Sequence, residues 1–161
     1  MPLALNRLSK KGVMNMSDTL FTVGYQGRCF DELLNLLRQN SIETVVDVRY
    51  FPHSRKEGFS KSILNQRLDS NGIQYMHLRK LGSLPGLRRR YHKHEDINTY
   101  FNEYRRHLDG QLPTVEHLAR LSRRESTCLL CLEAEPLYCH RSVIADRIQQ
   151  LDGNGLAICH L

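Results

Sequence analysis

Seven residues in two short stretches of the chain carry side chains that can do chemistry together: Asp47 and Arg49 in the first, and Cys131, Glu133, Cys139, His140 and Arg141 in the second. Asp47 and Arg49 flank Val48, so on a strand both side chains leave the same face. A carboxylate there can orient or deprotonate a substrate and a guanidinium can grip an anion, or the two can simply form an ion pair. Glu133 follows Cys131 by two residues and shares its face in the same way. Cys139-His140-Arg141 reads as the opening of a helix. Unpaired amides at a helix start stabilise a thiolate, and the same amides together with Arg141 can hold a phosphate or carboxylate. The competing role for Cys139 is that of a small apolar residue packed in the core. Catalytic work is therefore expected of Asp47, Glu133, Cys131, Cys139 and His140.

Metal binding has weaker support. Cys128-x-x-Cys131 has the spacing of a zinc pair, but on a strand its two side chains point to opposite faces. Cys131, Cys139 and His140, with or without His53, make a better set, yet their spacing matches no common zinc pattern. No metal is assigned on this basis and the cofactor is left unknown.

Further polar residues fall near the same places. Tyr25 follows the first apolar run, and Pro52-His53-Ser54-Arg55 follows Asp47 and Arg49. With Arg49 and Arg141, these side chains (Tyr25, His53, Ser54, Arg55) are the expected substrate-binding set. Between Asp69 and Glu95 no acidic residue occurs, while Arg79, Lys80, Arg88, Arg89, Arg90 and Lys93 supply six fixed positive charges. The whole chain carries a formal net charge of +6, so this window accounts for the imbalance. Such a block suits an anionic small molecule or nucleic acid; otherwise it is a solvated basic surface. Gly82, Pro85 and Gly86 make it read as a loop.

The elements that must position these residues follow from the apolar pattern. Short apolar runs at Leu20–Gly24, Thr44–Val48, Ile73–Leu78, Thr127–Leu132 and Leu156–His160 read as strands, the fourth as a central strand covered on both faces. Between them, helical spacing appears from Phe30, from a cap at Ser60 to about Asn71, over Asp96–His107 and Thr114–Arg124, and from Cys139 or His140 onward. Strands alternating with helices imply right-handed crossovers and a three-layer α/β/α domain with a mainly parallel sheet. In such sheets ligands bind beyond the carboxyl ends of the strands. Every polar cluster named above follows a strand, so all of them belong to that one edge.

The chain of 161 residues suits one domain over 19–161, preceded by a disordered leader over 1–18 in which Met16 is an alternative start to Met1. With 40% hydrophobic and 25% charged residues it is an ordinary globular composition with no membrane segment and no convincing signal peptide. An odd count of five cysteines with no secretory signal points to reduced thiols and a cytoplasmic protein.

Thr22-Val23-Gly24-Tyr25, Asp47-Val48-Arg49 with Pro52-His53-Ser54-Arg55, Tyr75-Met76-His77-Leu78 with Leu81-Gly82, and Cys131-Leu132-Glu133 leading to Cys139-His140-Arg141 together resemble the domain of unknown function 488 family over roughly residues 20–150. The resemblance implies an α/β fold and a shared polar site but supplies no reaction. A weaker likeness to rhodanese-type sulfurtransferases rests on the Asp-Val-Arg strand end and on Arg141-Ser142 at a helix start. A phosphatase Cys-x5-Arg loop is absent. Three readings follow. The first is an enzyme acting on a phosphate-bearing substrate, a nucleotide or nucleic acid. The second is a non-catalytic nucleic-acid-binding module using Arg79 to His94. The third is a thiol- or metal-dependent transferase.

Overall fold

The computed structural model describes residues 18–94 and 96–161, so the leader expected over 1–18 lies outside it except for Asp18. Five strands, β1 (Thr19–Gly24), β2 (Thr44–Asp47), β3 (Gln74–His77), β4 (Thr127–Cys131) and β5 (Ala157–His160), form one sheet in the order β3-β2-β4-β1-β5. Every pairing is parallel, as right-handed crossovers through helices require. β4 is central and buried along its whole length, in line with its unbroken apolar sequence.

The helices are α1 (Phe30–Gln39), α2 (Lys61–Asp69), α3 (Pro85–His94), α4 (Ile97–Asp109), α5 (Leu112–Arg124) and α6 (His140–Leu151). Leu33, Leu37, Leu64 and Leu68 of α1 and α2 pack on one face of the sheet against Val23, Val45, Cys128 and Leu130. Tyr104, Leu118, Ile144 and Ile148 of α4, α5 and α6 cover the other face against Leu20, Val46, Leu129 and Cys131. The alternation of side chains along a strand thus divides Cys128 and Cys131 between the two cores. It also places the connections leaving β1 and β2 on the opposite side from those leaving β4, which opens crevices beside the end of β4.

The basic stretch is not a loop. Arg79–Leu81 forms one turn of 3-10 helix and the rest becomes α3. Proline is no obstacle at the first helical position, where its missing N–H has no partner to lose, and the arginine run that follows favours helix. Leu87 is buried, and Tyr91 stacks on Tyr100 of α4 at 4.9 Å. Two helix starts also differ from expectation. Asp96 accepts from the amides of Asn98 and Thr99 and so caps α4 rather than beginning it, and α5 opens two residues early with Pro113 in its first turn. Ser60 precedes α2 but does not cap it through its side chain. Its hydroxyl instead accepts from the Ser54 amide (3.1 Å) and donates to the Ser54 carbonyl (3.0 Å), tying the 54–60 loop together.

Candidate functional site

The end of β2 carries a closed knot. Both Asp47 and Arg49 are buried, and the guanidinium meets the carboxylate side-on, Nε to Oδ1 at 2.9 Å and Nη2 to Oδ2 at 2.6 Å. The Arg49 amide donates to the same Oδ1 at 3.0 Å, and the Tyr75 hydroxyl donates to Oδ2 at 2.6 Å. Arg49 Nη1 reaches the Tyr25 hydroxyl (3.0 Å) and the Phe59 carbonyl (2.8 Å), while the Tyr25 ring stacks on Phe59 at 4.3 Å. Burial alone would lower the Arg49 pKa, but the Asp47 carboxylate outweighs it and the net shift is upward. Burial and the Asp47 charge together push the Tyr75 phenol up.

Two residues beyond β4 the arrangement is different. Glu133 Oε2 sits 3.1 Å from Cys131 Sγ and 3.2 Å from Cys139 Sγ, and its other oxygen receives Arg88 Nη2 at 2.6 Å. His140, the first residue of α6, is buried with Nε2 2.9 Å from the Val48 carbonyl and Nδ1 4.0 Å from each sulfur. A carbonyl only accepts, so Nε2 carries a proton there, and Nδ1 faces the two sulfurs. Tyr104 packs edge-on against the His140 ring at 5.2 Å.

The loop holding Glu133 is fixed from below. Arg141 is fully buried and donates to the carbonyls of Glu133 and Ala134, the latter at 2.8 Å, and to Thr22 Oγ1 at 3.3 Å. Gly24 lets β1 approach the same loop: a Cβ there would lie 1.7 Å from the Glu133 carbonyl oxygen. This is the physical content of the glycine in Val23-Gly24-Tyr25.

Charge is unevenly shared in this second cluster. Burial raises the Cys139 thiol, but hydrogen bonding to Cys131 and His140 and the charge of His140 prevail, leaving it at about 5. Cys131 moves well upward, because its bond to Cys139, its burial and the neighbouring negative charges all favour the thiol. Burial also opposes ionisation of Glu133, but Arg88 first, then its own backbone amide, Cys131 and His140 together outweigh it, so its pKa falls. Of the two thiols, Cys139 is therefore the one that gives up its proton more readily.

Two adjoining cavities of about 290 and 440 Å³ meet over this cluster and share Arg88, His92 and His140. The first is bounded by Tyr25, Arg49, Phe51, His53 and Arg89, and the second by Glu133, Cys139, Tyr100 and Tyr138. Phe51 and Tyr138 stand 58% and 57% exposed, one at each cavity. A larger groove of about 500 Å³ lies between α5 and the end of α6, bordered by Glu116, Arg120 and Leu151. It is at the amino edge of the sheet and holds none of the clusters above.

The expected substrate-binding residues separate into two groups. Tyr25, Arg49 and Arg141 are buried with their polar atoms engaged by protein, whereas His53 and Arg55 are exposed. Ser54 Oγ accepts the Lys56 amide at 3.1 Å within its loop. Of the expected nucleic-acid-binding set, Arg88 pairs with Glu133 and Arg90 with Glu103, and Arg79 lies 4.5 Å over the Tyr50 ring. Lys80, Arg89 and Lys93 are exposed. Sequence reasoning missed Tyr75, Tyr104, His92, Phe51 and Tyr138. The aromatic residues beside each polar motif were the available signal for the last two.

Comparison with protein families finds the domain of unknown function DUF488 over residues 30–148, and the chain belongs to that family. Comparisons with curated proteins and with solved structures found no significant match.

Proposed function

We propose that this member of the DUF488 family is an enzyme acting on a phosphate-bearing substrate, a nucleotide or a nucleotide unit of nucleic acid, in the cleft at the carboxyl edge of the sheet. The observation that carries the reading is the stacking of one cleft on one reactive cluster. Arg89, His92 and His53 border the cavity as cations or potential cations, and Glu133, Cys139 and His140 form its floor. Phosphate goes to the rim, where Arg89 and His92 are exposed. Exposed Phe51 and Tyr138 supply faces on which a base stacks. Glu133 moves the proton, and Arg88 holds its carboxylate in place. Asp47, Arg49 and Arg141 act as supports, since their polar atoms are already engaged within the protein. Five free thiols fit the reducing cytoplasm.

A second reading, a non-catalytic nucleic-acid-binding surface, draws on the exposed cations Lys80, Arg89 and Lys93. One titration separates the two. Fluorescence-detected binding of inorganic phosphate, mononucleotides and single-stranded oligonucleotides should show mononucleotide binding that Arg89→Glu weakens about tenfold or more, as expected for loss of a charged contact. Binding of oligonucleotides alone, with an affinity falling steeply in salt, favours the surface module. Absence of binding to all three removes both readings.

A further inference from the structure

The cluster beneath the cleft has the composition and shape of a metal centre. Cys131, Cys139 and His140 are all buried, and their two sulfurs and one ring nitrogen lie within 4.8 Å of one another. The His140 ring is already set for ligation, because its Nε2–H is committed to the Val48 carbonyl at 2.9 Å. Metal-binding histidines are oriented in this way, by a backbone or carboxylate acceptor on the nitrogen that does not ligate. Among the described residues, what faces Nδ1 is the two sulfurs at 4.0 Å, poor donors at that distance.

The distances agree with one ion and with no change of fold. Tetrahedral zinc, with bonds of about 2.3 Å to sulfur and 2.0 Å to nitrogen, sets sulfur and nitrogen about 3.5 Å apart. Each 4.0 Å separation would close by about half an ångström. Glu133 Oε2, 3.1 and 3.2 Å from the two sulfurs, borders the remaining corner of such a site. Charge closes as well: two thiolates neutralise a divalent ion, and Glu133 is already paired with Arg88.

We infer that Cys131, Cys139 and His140 bind zinc at the floor of the cleft, leaving open the fourth corner beside Glu133. Two thiolates and an imidazole are soft ligands that select zinc over magnesium or calcium. Glu133, Cys139 and His140 line the cavity, so the fourth corner faces the cleft, as in sites where three protein ligands leave a position for chemistry. The inference rests on the reading of the cleft as an active site and names its cofactor. Zinc would supply a Lewis acid directly beside the one carboxylate free to move a proton. The three residues were visible in the sequence as a candidate set but at a spacing that matches no common zinc pattern, because Cys131 ends a strand, the other two open a helix, and the return of the 132–138 loop brings them together.

The test uses the full chain, loaded with zinc chloride and desalted, with metal counted by mass spectrometry and affinity measured against a chromophoric chelator. Wild type should retain one equivalent, and cobalt in its place should show thiolate charge-transfer and tetrahedral ligand-field bands. Cys139→Ser and Cys131→Ser should each weaken zinc binding by more than about 100-fold, beyond the loss typical of supporting residues. Cys128→Ser, on the opposite face of the sheet, should leave it unchanged. If a serine variant fails to fold, protection of Cys131 and Cys139 from alkylation by zinc in wild type provides the same answer. Retention of much less than one equivalent by wild type, cobalt spectra without thiolate bands, no zinc protection of these thiols, or full zinc binding by Cys139→Ser overturns the inference. Zinc binding is read apart from nucleotide binding: nucleotide binding by a chain that takes no zinc sinks the metal alone, and zinc binding by a chain that takes no phosphate or nucleotide sinks the active-site reading alone.

Discussion

The ends of β2 and β4 lie side by side, each with a largely buried carboxylate, yet the two carboxylates live in opposite circumstances. Asp47 receives three donors from Arg49 and one from Tyr75, and Arg49 spends further N–H groups on Tyr25 and Phe59. The Asp47 carboxylate is saturated by donors from the protein itself. Glu133 has one cation, half in solvent, and is otherwise met by two thiols. A buried acid saturated by donors holds a fold together; one short of donors and facing a cleft retains the capacity for exchange. The difference arises from what surrounds each motif in space, since Asp-x-Arg and Cys-x-Glu look equally functional in one dimension.

The largest expected effect tests the closed side. Removing one partner of a buried ion pair strands the other charge and costs about 3–5 kcal/mol. Asp47→Asn should lower the stability from urea unfolding by that amount, with Arg49 losing its counter-charge and an amide NH2 replacing one of the two oxygens that accept from Arg49 and Tyr75. Glu133→Gln should cost about 1 kcal/mol or less, because Arg88 is 39% exposed and solvent screens the pair. Similar losses in the two variants would erase the distinction between the knot and the cleft.

Next in size is the junction between them. Gly24→Ala would drive a methyl group into the Glu133 carbonyl and displace the loop that Arg141 clamps. Overpacking of this kind costs about 1–3 kcal/mol. Mononucleotide affinity should fall with stability, because Glu133 moves with its loop. Gly86→Ala, where a Cβ meets nothing, should not destabilise the protein. A Gly24→Ala variant as stable as wild type, with unchanged binding, would show that the 133–134 loop is free to reposition.

Much of the frame was legible because it depends on local pattern. All five strands and their common direction follow from apolar runs and the helices between them, and the single polar edge follows from the direction. α3 was hidden for a definite reason. Apart from Leu87 and Tyr91 its residues are polar or small, so it shows little amphipathic repeat, and Pro85-Gly86 resembles a turn when the helix-start role of proline is not weighed. The site was legible as a collection of residues and not as a set of partnerships. Arg141 has the side chain of an anion binder, yet its chemistry is spent on two main-chain carbonyls. Arg88 belongs to the basic run by sequence and to Glu133 by contact. Cys159 is only half-buried, because β5 is an edge strand.

The smallest effect probes one hydrogen bond of the knot and carries its own pH signature. Tyr75→Phe removes the hydroxyl that donates to Asp47 at 2.6 Å, while Arg49 keeps the carboxylate paired. The cost at pH 8 should be about 1–1.5 kcal/mol, within the range for a hydrogen bond to a charged acceptor that retains other donors. Burial and the neighbouring carboxylate raise the Tyr75 pKa above its ordinary value. Below about pH 10 both folded and unfolded chains keep the phenolic proton, so the contribution is fully present. Above it the unfolded chain loses the proton and the native chain does not, so native stability falls with pH. At about pH 11 that loss amounts to roughly 1.4 kcal/mol for wild type and nothing for the phenylalanine variant. The penalty measured at pH 8 should therefore vanish near pH 11. A penalty that stays constant across this range would mean that Tyr75 ionises as readily in the native protein as in the unfolded chain. The Asp47 knot would then be open to hydroxide, and the contrast with Glu133 would lose its basis.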